Sequence, residues 1–145
     1  LGTVEREAES RGGWRPAMPI VRNDELPIHE LPGLVHRTLA GHAQGVSSME
    51  VWHQVMVPGT ETPIHRHACE EVIVILAGSG RLILDGDASD FQENPTLIVP
   101  PDLVHQLINT GSDNLVLVAA LGTAPVRVRT AAGDPLPVPW QAPGA

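Results

Sequence analysis

Short apolar runs separated by glycine and proline dominate the pattern of this chain. Valine, isoleucine and leucine cluster in these runs, and 14 glycines and 14 prolines interrupt them. Such runs predict β-strands, because β-branched residues favour strands while glycine and proline end them. No helical periodicity persists for more than about two turns. The predicted strands cover residues 19–22, 35–40, 49–57, 71–76, 81–85, 96–99, 105–109, 115–121 and 126–130.

Turn signals between these runs predict an all-β sandwich or barrel. Residues 78–80, 85–87 and 109–114 are rich in Gly, Asp, Asn and Ser and are typical of hairpin turns. The two ends of the chain differ from this middle part. We expect an N-terminal extension over residues 1–17, a single β domain over 18–132, and a proline-rich, extended tail over 133–145 that packs near the functional site.

The segment His65-Arg-His-Ala-Cys-Glu-Glu71 carries the most specific chemistry of the chain. His65 and His67 are two residues apart, so on an extended segment their side chains point to the same side. Glu71 lies four residues after His67 and keeps this alternation. Imidazole and carboxylate ligands suit a borderline divalent metal such as zinc, manganese, iron, nickel or copper. We therefore predict that these residues hold one divalent ion per chain.

His105 is the strongest candidate for a further metal ligand. It follows a Pro-Pro-Asp turn and opens a predicted strand, and in a small barrel such a turn can bring it against His65 and His67. Three imidazoles and one carboxylate leave an open position for water or a ligand. The other histidines lack such a pattern, and we interpret all four as surface or interface residues: His29, His36, His42 and His53.

Composition and charge argue against several classes of function. The chain has 145 residues, with 9 Lys and Arg against 17 Asp and Glu, for a net charge of −8. This acidity argues against a nucleic-acid partner, which normally requires a basic face. No apolar run approaches the roughly 18 residues that span a membrane, so we expect no membrane partner. The single Cys69 excludes an internal disulfide.

The strands near the metal motif predict an apolar cavity. Apolar residues share the alternation of the metal ligands, as Ile73 does with Glu71. Strand 49–57 has two possible inner faces, one with Trp52 and Gln54 and one rich in valine, and alternation alone does not choose between them. No lysine, tyrosine, second carboxylate or Ser-His pair stands out as a general base. These features favour a ligand with an apolar body and one polar head for the metal.

Two motifs resemble the signature of the cupin superfamily. The first runs from Gly59 through the two histidines and Glu71 to Gly78, with the cupin spacing of these residues. The second surrounds His105 and ends in asparagine, with Asp102 where the signature has glycine. The resemblance implies an all-β, single-domain cupin, that is, a double-stranded β-helix or jelly-roll barrel.

A closer resemblance is to the auxin-binding protein family of plants. It rests on Met49-Glu-Val-Trp-His-Gln54 and Thr62-Pro-Ile-His-Arg-His-Ala-Cys-Glu-Glu71, and it extends over about residues 18–140. The resemblance implies a homodimer in which zinc, held by His65, His67, Glu71 and His105, binds the carboxylate of a small aromatic ligand. By matching position, the ligand pocket would include Leu34, Trp52, Gln54, Thr62, Pro63, Ile64, Ile73, Val138 and Trp140.

Departures from that family bear on the ligand and on the compartment. Two pocket aromatics of the family are Ile73 and Val138 here, so the aromatic cage is thinner. The family's disulfide, glycosylation site and C-terminal retention signal are absent from this sequence. These differences favour a non-secreted, bacterial-type relative, and we expect a cytoplasmic protein.

Three functions are compatible with these patterns. The leading hypothesis is metal-dependent binding of a small, auxin-like aromatic carboxylate without catalysis. The alternative is a manganese- or iron-dependent enzyme, a dioxygenase, isomerase or lyase, because the same ligands serve several metals. The third is a storage or structural cupin whose metal only stabilises the barrel.

Overall fold

Nine antiparallel β-strands form most of the regular structure in the computed structural model, which describes residues 19–141. Two 3-10 helices, Asn23–Glu25 and His42–Gln44, lie in connections, and no helix in this range has the length and apolar character to cross a membrane. The predicted N-terminal extension and residues 142–145 of the tail lie outside the described residues. The strands are β1 (His29–Leu31), β2 (Leu34–Ala40), β3 (Glu50–Met56), β4 (Glu71–Ala77), β5 (Gly80–Leu84), β6 (Asp87–Phe91), β7 (Thr96–Val99), β8 (His105–Ile108) and β9 (Leu115–Leu121).

The strands form two sheets around one core. The larger sheet has the order β1-β2-β3-β9-β4-β7, and the smaller sheet has the order β6-β5-β8. One hydrophobic cluster takes residues from both sheets, including Ile75 and Leu117 from the larger sheet and Leu82 and Leu107 from the smaller one. The all-β prediction is therefore confirmed, and the apolar core is shared by the two sheets.

Strand β3 turns the tryptophan and glutamine of its sequence toward this core. Trp52 is 5% exposed and Gln54 is 7% exposed, whereas the alternate residues of the strand are half-buried. These two residues pair with Ala119 and Leu117 of β9, in the middle of the larger sheet. The structure thus selects the inner face that alternation left open, and it is the face that the family resemblance implied.

Two of the predicted strands are wrong. Residues 19–22 join neither sheet, and Ile20 is 78% exposed, so this short run has no partner strand among the described residues. Residues 126–130 keep an extended alternation, with Val126 and Val128 buried. However, their bridges are limited to Arg129, which pairs with Arg66 and Pro135. An isolated bridge holds the segment against the barrel without extending a sheet.

Of the three predicted hairpin turns, one joins paired strands. Asp85 and Gly86 connect β5 to β6 with φ of 47° and 85°, the positive values that a tight type I′ turn requires. This turn leads into β6, which pairs with β5. The apolar pattern revealed neither β6, which is a polar strand, nor β1. Residues 78–80 and 109–114 instead link strands of different sheets. The two crossings touch, because a Cβ on Gly78 would lie 2.7 Å from the Asn114 carbonyl oxygen.

Candidate metal centre and ligand cavity

Three histidines converge beside the core. His65 and His105 are bridge partners whose backbones exchange hydrogen bonds of 3.1 and 2.8 Å, and His67 follows two residues later along the chain. One ring nitrogen from each of the three lies within 4.8 Å of the others. His67 and His105 are buried, and His65 is half-buried. The structure therefore brings together the three imidazoles that the sequence predicted as metal ligands.

The backbone fixes which nitrogen each imidazole offers. A carbonyl oxygen only accepts, so an Nδ1 atom beside it carries the hydrogen and donates, which leaves Nε2 with a free lone pair. This Nδ1–H arrangement is the one that orients metal-binding imidazoles in proteins. The three Nδ1 distances to carbonyl oxygens are 2.6 Å from His65 to Pro63, 2.9 Å from His67 to Cys69 and 2.8 Å from His105 to Leu103.

Glu71 adds a buried carboxylate to this cluster. Its Oε1 atom lies 3.3 Å from His67 Nε2 and 3.5 Å from His105 Nε2. His105 Nε2 is buried and has no hydrogen-bond partner within residues 19–141. A buried polar atom left in this state normally has a water or an ion as its partner. Three imidazoles and a carboxylate are a donor set that zinc and similar divalent ions accept, so the residues fit such a metal.

Burial and hydrogen bonding shift the pKa values of these groups in different directions. Burial, together with the neighbouring His105, lowers the pKa of His65 to about 4. Burial also opposes a charge on His67, but hydrogen bonds to Cys69 and Glu71 outweigh it and raise its pKa to about 10. For Glu71, burial is again outweighed, here by the adjacent imidazoles of His105 and His67, and its pKa falls to about 2. The lowered pKa favours the Glu71 carboxylate as an anion, the form in which it would bind a divalent cation.

A cavity of about 50 Å³ adjoins the cluster. His65, Glu71 and His105 form its polar end, whereas His67 is not one of the lining residues. Most of the remaining wall is apolar and comes from both sheets and from the tail. The wall beyond the polar end consists of Leu31, Leu34, Trp52, Gln54, Thr62, Pro63, Ile73, Leu107, Leu117, Val128, Leu136, Val138 and Trp140.

All predicted pocket residues except Ile64 line this cavity. The Ile64 side chain is 56% exposed and absent from the cavity wall, although its neighbours Pro63 and His65 both line it. Its predicted place in the wall is therefore corrected. The sequence interpretation also missed wall residues, of which Val128 and Leu136 share the alternation of their neighbours Val126 and Val138. Contact between the wall and a ligand stays a prediction.

His36 is the main correction among the histidines, because it is 0% exposed and does not lie on the surface. Its ring stacks on Trp140 with 3.9 Å between the centroids and 8° between the planes. Its Nδ1 lies 3.0 Å from Gln54 Nε2, and its Nε2 lies 2.8 Å from Thr38 Oγ1. His36 therefore packs behind two cavity residues, Gln54 and Trp140. The available signal was its alternation with the apolar Leu34.

The hydrogen bonds of His36 suit a neutral ring. An amide nitrogen donates, so Nδ1 accepts from Gln54, and the hydrogen on Nε2 is then donated to Thr38. Burial, followed by the charges of His29 and His53, lowers the pKa of His36 to about 3. The remaining histidines fit their predicted positions better, since His42 is exposed and His29 and His53 are half-buried.

Comparison with known proteins identifies the family. The auxin binding protein family matches residues 15–137 of this chain. The chain belongs to the auxin-binding protein family. It is 40% identical over 124 residues to auxin-binding protein 1 of Arabidopsis thaliana, an alignment that covers 77% of this chain and 63% of the relative. The match thus spans less than two thirds of that relative's length.

Solved structures support the cupin fold of this family member. An RmlC-like cupin from Shewanella frigidimarina has a TM-score of 0.64 and 16% identity, over 77% of this chain and 96% of that chain. The polyketide cyclase RemF from Streptomyces resistomycificus has a TM-score of 0.64 and 20% identity, over 76% of this chain and 84% of that chain. Identities this low show the fold alone, and they confirm the predicted single-domain cupin.

Proposed function

We propose that this auxin-binding protein relative binds a small aromatic carboxylate through a divalent metal, for which we favour zinc. His65, His67, Glu71 and His105 would hold the metal. The observation that carries the proposal is the convergence of three imidazoles beside a mostly apolar cavity that two of them, His65 and His105, line. A metal in such a site supplies a positive charge and a free position that a carboxylate can occupy. The name of the family points to the same class of ligand.

The cavity wall supports binding more than catalysis. Near neutral pH, none of its polar side chains outside the metal centre is a general base. Trp52 Nε1 donates to Glu50 Oε1 at 2.8 Å, and Thr62 Oγ1 accepts from the Leu107 amide at 3.0 Å. These two groups are thus engaged in holding the barrel together. The alternative, a manganese- or iron-dependent dioxygenase, isomerase or lyase, gains no candidate acid or base from the described wall.

Entry of an aromatic ring requires a change in the wall. The cavity measures about 50 Å³, whereas an apolar cavity of about 150 Å³ is known to hold benzene. Leu136, Val138 and Trp140 line the cavity from a segment that belongs to neither sheet. Sheet strands are held by ladders of backbone hydrogen bonds. This segment has isolated ones, such as Leu136 N–H to the Val128 carbonyl at 3.0 Å, so it is the easier part of the wall to displace. We infer that it moves outward when the ligand binds.

A metal-centred spectrum tests the proposal directly. Cobalt(II)-loaded protein is titrated with phenylacetic acid and indole-3-acetic acid while its visible absorption is recorded, because ligation by a carboxylate changes the cobalt bands. Phenylacetamide is the matched control, since it keeps the ring and lacks the charged oxygen pair. We expect saturable changes with the acids and none with the amide.

Three outcomes separate the functional hypotheses. Bands that do not respond to either acid would contradict carboxylate binding at the metal. A metal that raises the melting temperature, while no ligand changes the cobalt bands, would support the structural cupin. Oxygen uptake by protein carrying the metal found in its native host would support an oxygenase.

We also propose that two copies of the chain form a homodimer through the outer face of the larger sheet. Val74, Leu76 and Ile98 on this face are 41%, 57% and 58% exposed, and β4 and β7 pair side by side here. Contiguous exposed apolar patches commonly mark interfaces. Analytical ultracentrifugation should show a dimer that Val74→Glu converts to a monomer. Val21→Glu, outside both sheets, should leave the dimer intact, and a monomeric wild type would contradict this interface.

A further inference from the structure

His36 contacts three residues of the cavity wall, although it is not itself a lining residue. Its Nδ1 atom lies 3.0 Å from Gln54 Nε2. Its ring stacks on Trp140 with 3.9 Å between the centroids, and it meets Trp52 edge-on at 5.1 Å and 71°. Side chains placed behind a wall in this way can hold the groups that meet a ligand.

His36 and Gln54 are a directly opposed pair on neighbouring strands. β2 and β3 are antiparallel, and their register places His36 opposite Gln54. Both residues are buried, with 0% and 7% of their surface exposed. The Cβ atoms of such a pair lie about 5 Å apart, a distance that two long side chains bridge. Because both strands belong to the larger sheet, this hydrogen bond does not depend on the position of the segment that carries Trp140.

The hydrogen bond between His36 and Gln54 has a defined direction. The amide nitrogen of Gln54 only donates, so His36 Nδ1 accepts and the ring hydrogen lies on Nε2. That Nε2 atom is 2.8 Å from Thr38 Oγ1, which accepts the hydrogen. Donation to His36 commits one amide N–H of Gln54 and leaves its Oε1 and its second N–H for other partners. Without this bond, the carboxamide could turn over and exchange its donor and acceptor.

We propose that His36 is a positioning residue of the cavity, which holds the Gln54 carboxamide in one orientation before a ligand arrives. The effect on affinity rests on the proposed function, because it requires a ligand that contacts Gln54 in the wall. A side chain that becomes ordered only on binding opposes binding through its lost entropy. For one side chain this weakens affinity about 2- to 10-fold, and a wall group that is already held avoids this loss.

NMR of the ligand-free, metal-free protein tests the positioning without a ligand. In the ¹⁵N-labelled full chain near pH 7, the His36 ring should carry its hydrogen on Nε2 and none on Nδ1. The side-chain amide of Gln54 should show a high order parameter, which reports restricted motion on the ps–ns timescale. His36→Phe keeps an aromatic ring but removes the acceptor, so the order parameter should fall toward that of the exposed Gln92. His36→Gln supplies a carbonyl acceptor and should keep it high.

Titration of cobalt(II)-loaded protein with phenylacetic acid measures the consequence for binding. His36→Phe should weaken binding about 2- to 10-fold and leave the cobalt bands of the ligand-free protein unchanged, whereas His36→Gln should bind as the wild type does. In a Gln54→Leu background, His36→Phe should have no further effect, because the group that it positions is gone. A general loss of packing would weaken binding in both backgrounds. His42→Phe makes the same replacement at an exposed histidine and should leave binding unchanged.

The two experiments separate this inference from the proposed function. If neither acid alters the cobalt bands of the wild type while the NMR results hold, the proposed function fails and His36 still positions Gln54. The inference is overturned if His36 Nδ1 carries the hydrogen, if the order parameter of Gln54 is the same in wild type and His36→Phe, or if His36→Phe weakens binding equally in both backgrounds. Melting curves confirm that each variant is folded, and the wild-type ring spectrum and order parameter decide where His36→Phe does not fold.

Discussion

Mild acid should destabilise the fold through His36. Its ring is fully buried, stacked on Trp140 and hydrogen-bonded in a neutral form. Burial, and after it the charges of His29 and His53, lowers the pKa of His36 to about 3, against 6.5 for an unperturbed histidine. As pH falls, the unfolded chain therefore takes up the proton first. The stability contributed by the neutral ring is complete above pH 6.5 and is lost progressively down to pH 3.

The size of this effect follows from the shift. Each pH unit inside the window costs about 1.4 kcal/mol for one group, so the loss at pH 5 is about 2 kcal/mol. A typical domain has about 5–15 kcal/mol of total stability, which makes such a loss measurable. His65, with its pKa lowered to about 4, adds a loss of the same sign. His67, with its pKa raised to about 10, acts in the opposite direction.

Comparison with a variant isolates the contribution of His36 from the other two histidines. Urea unfolding of metal-free wild type and His36→Gln is measured at pH 7 and pH 5. Glutamine can still hydrogen-bond Gln54 and Thr38 but does not titrate, so the variant should lose about 2 kcal/mol less than the wild type over this range. His42→Gln, at an exposed histidine, should keep the wild-type dependence. Equal losses in wild type and His36→Gln would refute the reasoning.

Three further changes test the metal centre and the crossings between the sheets. His105→Ala removes an imidazole and should weaken zinc binding by about 100-fold or more. The zinc retained after dialysis measures this, and unchanged retention would contradict the proposal that His105 is a zinc ligand. Asn109→Ala removes three hydrogen bonds, two within the β8–β9 connection and one to the Met56 carbonyl of β3, and urea unfolding should show a loss of about 2–4 kcal/mol. Asn114→Ala, at an exposed position, should cost under about 0.5 kcal/mol. Gly78→Ala places a Cβ 2.7 Å from a backbone oxygen at φ +92°, and should lower stability by more than about 1 kcal/mol.

The candidate metal ligands within residues 65–71 were predictable because their signal is local. The two-residue spacing of His65 and His67 and the parity of Glu71 hold on any extended segment. The pairing of strands is different, because it depends on partners far away in the chain. Residues 78–80 have the composition of a hairpin turn, but they carry the chain from one sheet to the other. A glycine-rich turn has the same sequence signal in both cases.

His36 and Ile64 show where residue type and matching position in a family are poorer guides than alternation. Histidine is commonly exposed, so the sequence interpretation placed His36 on the surface. Its position two residues after the buried Leu34 turns it inward, and Gln54 and Thr38 satisfy both of its nitrogens. Ile64 takes its predicted place from the family resemblance, yet its side chain is 56% exposed. The alternation of His36 is readable in the sequence, whereas its hydrogen-bond partners across the barrel are not.

The position of the cavity favours the proposed ligand binding over a purely structural role for a bound metal. A structural ion is normally enclosed by protein ligands on all sides. Here His65, Glu71 and His105 line a mostly apolar cavity, so one side of the candidate metal centre adjoins the cavity and is not packed against the core. Trp140 lines this cavity from the segment outside the sheets, and its ring stacks on that of His36. Stacking is weaker than a strand ladder, so opening this side should cost less than disrupting either sheet, and the proposed ligand could enter while the barrel stays folded.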